Sequence, residues 1–283
     1  MSDAPVNRRS VMVLPALAPE RIAEAQAAGP DIVVIDLEDG TAADRKDEAR
    51  AAVRTLFEAP AQGASRRYLR INPPATPAGV RDLASLLDWT APPDGVVIPK
   101  TENGQEIAWV AATVGAVHGP VDLMPIVESP AGLEAAYTIA AAPMVKAVLL
   151  GLDDLTGDLG ADRAWESLAY ARGRVAAAAA AAGVEAIDGP WRDPDDEAGL
   201  IAETRWVAGM GFAGKACYHA GQIPHIHAAF TPSASAIAEA REIVATAAAD
   251  DVGLAFAKGR VVNRSAVKGA ERVLALARRR GVI

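Results

Sequence analysis

Residues 31–39, Asp-Ile-Val-Val-Ile-Asp-Leu-Glu-Asp, decide how the rest of the chain is read. Ile32 to Ile35 form an unbroken β-branched run without polar alternation, the pattern of a parallel strand covered on both faces. The run stops at acids, Glu38 and Asp39, and a helix-like stretch follows at residues 42–59. Seven further runs repeat this order: SVMVLPA (10–16), RRYLRIN (66–72), GVVIPK (95–100), VDLMPIVES (121–129), VKAVLLGLDDL (145–155), VEAIDGP (184–190) and GKACYH (214–219). Segments of helical period lie between them, among them PERIAEAQAAG (19–29), TENGQEIAWVAATVG (101–115) and DEAGLIAETRWVAGMG (196–211). Several stop at Gly, a common helix terminator.

Eight consecutive βα units joined by right-handed crossovers close a sheet on itself, so the pattern predicts an α/β fold of the (β/α)8 TIM-barrel class. An open doubly wound sheet is the competing fold. It usually carries a Gly-rich turn after its first strand, whereas SVMVLPA is followed by Leu-Ala-Pro-Glu-Arg (17–21). The longest helical segment, about residues 161–182, contains a run of Ala and is expected to pack closely against its neighbours. From about residue 231 the pattern changes. A helix at about 233–249, a Gly-flanked extended piece (253–263) and a last helix (265–280) predict a C-terminal helical extension. The chain therefore divides into a barrel domain, 1–230, and an extension, 231–283, sized for a lid or an oligomer arm.

Parallel strands point their C-terminal ends at one rim, where α/β proteins place their chemistry. That rim is expected to gather Glu38, Asp39, Arg70, Lys100, Glu128, Asp153, Asp154, Asp188 and His219. Composition narrows the partners. The 283 residues are 51% hydrophobic, enough for a large core, and the net charge of −8 argues against a general nucleic-acid binder. An anionic small substrate stays compatible, held by a local Arg, Lys or metal. A single cysteine, Cys217, leaves no internal disulfide and points to a reducing compartment. The N-terminal MSDAPVNRRS has no apolar signal core, and no uncharged apolar stretch reaches membrane-spanning length. The expectation is a soluble cytoplasmic protein with no membrane or nucleic-acid partner.

Glu128 and Asp154 end successive strands, which lie about 5 Å apart in a sheet. Two such carboxylates suit one hard cation, because Mg²⁺ takes one or two protein carboxylates and completes its octahedron with water and substrate oxygens. Capping of the following helices is the competing role for each. Glu38 and Asp39 suit second acceptors for metal-bound water, orientation of a cationic side chain, or caps. Arg70 is either an ion-pair partner or a fork for a substrate carboxylate. Lys100 reads as a partner of a rim acid, with a Schiff-base role as the alternative. His219, His225 and His227 lack a Cys or carboxylate at zinc-ligand spacing, and Cys217 has no activating partner in view.

The ordered set RRSVMVLPA, DIVVIDLEDG with Lys46, Ala49 and Arg50 after it, LRIN, VVIPKTE, PIVESPAGL, GLDDLTGDLG, AIDGP, GFAGKACYHAGQI and FTPS resembles the citrate lyase β-subunit-like family of the HpcH/HpaI aldolase and malyl-CoA lyase superfamily. The resemblance runs from about residue 8 to 278. It implies a (β/α)8 barrel in homotrimers or multiples of three, Mg²⁺ on Glu128 and Asp154, and Arg70 on the carboxylate or keto oxygen of an oxaloacetate- or glyoxylate-like ligand. The implied reaction is reversible cleavage of a 3-hydroxyacyl-CoA thioester, with a CoA thioester as substrate and no covalent enzyme intermediate. Metal and arginine would polarise the carbonyl and stabilise developing charge.

Two positions depart from the family pattern. Tyr218-His219-Ala220-Gly221-Gln222-Ile223 stands where the family often has I-H-P-x-Q-I, near the thioester. Asn263, in Gly259-Arg260-Val261-Val262-Asn263, stands where many family lyases have an Asp that handles a proton in a neighbouring subunit's site. Asn has no titratable proton. The leading expectation is thus a Mg²⁺-dependent carbon–carbon lyase. The alternatives are a weakly active paralogue that binds a 2-oxo acid or CoA ester, and a CoA-independent class II aldolase.

Overall fold

The computed structural model describes residues 6–61, 63–249, 255–257 and 260–283. Its first unit, Arg8–His227, is a closed barrel of eight parallel strands. They are β1 (Ser10–Pro15), β2 (Ile32–Asp36), β3 (Arg66–Arg70), β4 (Gly95–Ile98), β5 (Asp122–Val127), β6 (Ala147–Leu150), β7 (Glu185–Asp188) and β8 (Gly214–Cys217). Ser10 pairs with Lys215 and Met12 with Cys217, so β8 returns to β1 and the open-sheet alternative is excluded. All eight runs picked out in the sequence are strands.

Alternation along each strand sorts the side chains. Val11, Ile32, Val34, Tyr68, Val97, Met124, Ile126, Ala147, Leu149, Ile187 and Ala216 form one buried cluster inside the barrel. At its N-terminal end Arg8 pairs with Asp122 at 2.6 Å and Glu185 at 3.0 Å, while the Tyr68 hydroxyl donates to Asp122 at 2.7 Å. Gly95 leaves the space the Tyr68 ring needs, since a Cβ there would lie 2.6 Å from it.

Helices cover the barrel's outside. The long helix is Trp165–Ala182, shorter at its start than expected: Ala164 is extended, and a separate helix at 152–159 ends at Gly160 in the left-handed region. Its alanines 171, 178 and 179 are buried, as close packing requires.

One rim expectation needs correction. Ile187 faces the barrel interior, so Asp188, one residue on, faces outward. There it meets Arg172 of helix 165–182 at 2.9 Å and Lys215 of β8 at 2.6 Å. Glu203, from helix Glu197–Gly209, completes the group at 2.9 Å from Arg172 and 2.6 Å from Lys215. All four side chains are almost completely buried. Two cations and two carboxylates balance one another's charge there, as burial of charge demands, while Arg172 Nη1 is buried without a hydrogen bond.

The second unit comprises the N-terminal residues up to Asn7 and Ala228–Ile283. Helices Ala234–Ala249 and Arg264–Arg279 pack through Ile237, Ala240, Ala270, Leu274 and Ala277. An antiparallel pair, β9 (Ala255–Ala257) and β10 (Arg260–Val262), lies between them in sequence. Asn263 is the N-cap of the last helix: its Oδ1 accepts from the Ala266 N–H at 2.9 Å.

Candidate active site

The C-terminal mouth of the barrel is built from the inward positions just beyond the apolar layer. Asp36 follows Val34, Arg70 follows Tyr68, Glu128 follows Ile126, and Tyr218 follows Ala216, each two residues on. Asp36 stands behind Arg70, and Arg70, Glu128 and Tyr218 of this set line a cavity of about 160 Å³. Its floor is Val13, Val34, Val97, Ile126, Leu149 and Ala216. Its polar wall includes Asp39, Arg70, Glu128, Asp153, Asp154 and Tyr218.

Arg70 is locked in place. It donates from Nε to Asp36 Oδ1 at 2.7 Å and from Nη2 to Oδ2 at 2.6 Å. Asp36 also accepts the backbone N–H groups of Glu38 and Gly40. A Cβ on Gly40 would lie 2.5 Å from Asp36 Oδ2, so only glycine permits that approach. Lys46 donates to the carbonyls of Leu37 and Glu38, and Asn72 to that of Leu37, which fixes the loop carrying Glu38. Arg70 Nη1 lies 2.8 Å from Glu38 Oε2, an ion-pair distance, but Oε2 is buried without an aligned hydrogen bond. Burial pushes the Glu38 carboxyl up to about 7 against the pull of Arg70, with Asp39 and Asp36 adding to the rise.

Glu128 immediately follows β5, and Gly151 faces it across the β5–β6 pair. A Cβ at Gly151 would lie 2.4 Å from Glu128 Cβ and 2.6 Å from Oε2, so the glycine makes room for the carboxylate. Asp154 lies in the first turn of helix Leu152–Leu159 rather than at a strand end. Capping does not account for either acid: Ser129 caps helix Pro130–Glu134 by accepting from Gly132, and helix 152–159 has no side-chain cap. Lys100 adopts φ 52°, rare for a residue with a Cβ. That turn aims its N–H at Glu128 Oε1, 2.6 Å away, and its ammonium at Asp154. The same ammonium is 4.0 Å from Glu128 Oε1. Burial pushes Glu128 up to about 8, with Glu38 and Asp154 pushing the same way against Lys100. Burial also works against the Asp154 charge, but hydrogen bonds from Lys100 and the Glu128 carboxyl hold it below the ordinary carboxylate value.

The remaining candidates separate from this group. His219 is an exposed residue after β8, and Tyr218 lines the cavity instead. His227 meets Ser10 at 2.7 Å and His225 meets Glu197 at 3.6 Å, two separate places. Cys217 is buried, and burial pushes its thiol up to about 12. Asn263 belongs to the C-terminal unit. The sequence patterns do not mark Asp36, Gly151, Arg163 or Arg192, and they name Tyr218 only as a departure in the loop expected near the thioester. Strand parity counted from Val34 and Ala216 would have found Asp36 and Tyr218. The two arginines lie outside the strands, where no periodic signal marks them.

The donor set fits one Mg²⁺. The described residues contain no group of three or more His, Cys, Asp and Glu side chains at ligating geometry. Two carboxylates are what Mg²⁺ takes from a protein. A cationic nitrogen already stands against Asp154 and near Glu128. Asp36, Glu38, Glu128, Asp153 and Asp154 pair with Arg70, Lys100, Arg163 and Arg192, and Asp39 lines the same cavity. Burial is the first cause of the high proton affinity of Glu38 and Glu128, and the neighbouring carboxylates add to it.

These features define a (β/α)8-barrel protein with an acid-rich mouth organised around a fixed arginine. The chain belongs to the HpcH/HpaI aldolase/citrate lyase family, whose model matches residues 9–220. It is 32% identical over 257 residues to human mitochondrial citramalyl-CoA lyase, covering 85% of this chain and 76% of that protein. It is 32% identical over 274 residues to (3S)-malyl-CoA thioesterase of Cereibacter sphaeroides, covering 95% and 94%. Its fold matches that of CitE from Mycobacterium tuberculosis in complex with magnesium, acetoacetate and coenzyme A. The TM-score is 0.80 and the identity 31%, over 97% of this chain and 98% of that one.

Proposed function

We propose that this protein is a Mg²⁺-dependent carbon–carbon lyase that cleaves or forms a 3-hydroxyacyl-CoA thioester or a related hydroxy or 2-oxo acid. The observation that carries the reading is the Glu128–Asp154 pair, close enough to share a hydrogen bond, in a mouth that also holds Arg70. Family membership and relatives named for CoA-thioester chemistry support it. A bound Mg²⁺ would sit on Glu128 and Asp154 and supply Lewis-acid polarisation of substrate oxygens.

The chain's own residues do the rest. Asp36 occupies Nε and Nη2 of Arg70, so a substrate carboxylate or keto oxygen would meet Nη1, which now stands 2.8 Å from Glu38 Oε2. Glu38 stands beside that edge with a proton affinity near neutrality, suited to general acid–base work. In the cleavage direction Glu38 takes the hydroxyl proton. The carbon–carbon bond breaks, its electron pair goes to the carbon next to the thioester, and the proton is returned there. Asp39 lies on the same wall as the second carboxylate of this step. The apolar floor excludes water from the breaking bond.

The same reading places the protein in the cytoplasm as a homotrimer or a multiple of it, with residues after about 231 reaching a neighbour. Among the described residues no helix is long and apolar enough to cross a membrane. Asn263 favours a second reading, a weakly active paralogue that binds a 2-oxo acid or CoA ester. Incubation with Mg²⁺ and a panel of hydroxyacyl-CoA esters and free hydroxy-oxo acids, followed by mass analysis, tests both. An acyl-CoA plus a carbonyl product supports the lyase. Free CoA plus the intact acid would make the protein a thioesterase. Cleavage of free acids alone would make it a class II aldolase, and stabilisation by ligand without products would make it a binder.

A further inference from the structure

The Asp153 side of the mouth carries one positive charge more than Asp153 can neutralise. Arg163 pairs with Asp153 Oδ1 through Nη1, and its Nη2 donates to the Pro190 carbonyl at 2.7 Å. It is pinned at two points. Arg192, on the loop after β7, reaches the same Oδ1 through Nη2 at 2.5 Å. Two guanidiniums thus share one oxygen. The Arg192 side chain is 60% exposed, and among the described residues its ion pair is with Asp153 alone. Nε and Nη1 are left for another acceptor. Exposed pairs of this kind contribute little to stability and are released easily.

This surplus guanidinium stands at the cavity's edge. Asp153, Pro190 and Tyr218 all line the cavity, and Asp154 is the next residue along the chain from Asp153. Adjacent Cα atoms are about 3.8 Å apart, so Arg192 Nη2 lies within roughly 10 Å of Asp154. Tyr218 lines the same cavity as Arg70 and Asp153.

We propose that Arg192 holds a second anionic group of the substrate, beyond the one assigned to Arg70, with the Arg163–Asp153 pair as its footing. This rests on the lyase reading. The shared chemistry is an oxyanion met by the guanidinium fork, either a further carboxylate on the acyl part or a phosphate of the nucleotide thioester.

The test compares wild type, Arg192→Ala and Arg192→Lys on four thioesters, with kcat and KM read from product mass. Two carry one free acyl carboxylate and two carry two. Each acyl group is presented on coenzyme A and on N-acetylcysteamine, which has no phosphate. Hydrogen bonds to charged groups are worth roughly 10- to 100-fold in binding. Arg192→Ala is expected to raise KM by about tenfold or more for substrates bearing the recognised anion, with kcat nearly unchanged and partial recovery in Arg192→Lys. A penalty that follows the second carboxylate on both carriers assigns the acyl group. A penalty that appears with coenzyme A and vanishes with N-acetylcysteamine assigns the phosphate. Equal KM values for wild type and Arg192→Ala on all four overturn the proposal. Unchanged melting temperature and Mg²⁺ affinity show that the variant is folded, and Arg192→Gln replaces it if it is not. If wild type cleaves none of the four, the lyase reading has failed. Calorimetric binding of coenzyme A and of citrate to wild type and variant then decides the Arg192 site, and equal affinity for both ligands overturns it.

Discussion

Arg70 and Asp36 face each other through two parallel hydrogen bonds, 2.7 Å and 2.6 Å long, at the inward ends of adjacent strands. The pair fixes the guanidinium plane before any ligand arrives. A displacement of about 1 Å in such a group can cost about 100-fold in rate. Asp36→Ala should therefore lower kcat/KM for thioester cleavage by about that factor while leaving Mg²⁺ affinity nearly intact, because neither residue belongs to the proposed metal pair. Arg70→Lys should not restore function, since a point charge cannot replace the fork. Oxaloacetate binding at wild-type affinity by Arg70→Lys would remove Arg70 from the site.

Glu128 holds a proton up to about pH 8 when no cation is bound. A metal ion must displace that proton. Apparent Mg²⁺ affinity should therefore rise with pH below about 8 and level off above it, with net proton release at pH 7. Calorimetry in buffers of different ionisation enthalpy measures the release. Glu128→Ala and Asp154→Ala should each abolish measurable Mg²⁺ binding, and full affinity in both variants would rule out the pair.

Gly151→Ala places a methyl group 2.4 Å from Glu128 Cβ. Overpacking of this kind costs roughly 1–3 kcal/mol. The expected outcome is a lower midpoint in chemical denaturation together with weakened Mg²⁺ binding. An unaffected metal affinity would show that Glu128 relocates freely and that the glycine is not its spacer.

The buried group of Asp188, Lys215, Arg172 and Glu203 makes a stability prediction. Removing one partner of a buried ion pair costs roughly 3–5 kcal/mol, because the other charge stays uncompensated. Lys215→Met should destabilise the fold by that order. Burial opposes the Asp188 charge, yet Lys215 and Arg172 hold its carboxyl below the ordinary value. The folded pKa is thus below the unfolded one of about 3.9. The stabilisation is complete above that pH and disappears as pH falls through the folded value. Urea denaturation between about pH 2.5 and 6 should show this acid loss in wild type, and a much weaker one in Asp188→Asn.

Asn263 caps the last helix, and Asp caps equally well and suits the positive end of a helix dipole. Asn263→Asp should keep the melting temperature. If this segment supplies the proton at the thioester carbon, the variant should turn over malyl-CoA and citramalyl-CoA about 100-fold faster or more. A fast wild type with an unaffected variant would place the proton elsewhere, with Glu38 the first candidate.

Much of the site was legible in the chain because chemistry in a parallel barrel collects where apolar runs end. Arg70, Glu128, Asp39 and Asp154 were found that way and all line one cavity. Asp188 was read as their companion because it too ends an apolar run. Its parity relative to Ile187 turns it outward, to Arg172 and Lys215. Asp36 went unnoticed inside the run Ile-Val-Val-Ile-Asp-Leu, although it stands two residues from inward-facing Val34.

The sequence by itself determined the eight βα units, the closed barrel and the stock of acids at its mouth. Those depend on local periodicity, and hydrophobic burial then leaves few ways to assemble the units. Only the tertiary structure decided which charges meet. Lys100 reaches Asp154 across 54 positions, and Arg163 and Arg192 converge on Asp153 from different loops. Side-chain direction is set by the pleat, by a left-handed turn at Lys100 and by the space left at Gly151. Ion pairs formed this way depend on distance in space, and strand periodicity carries no record of it.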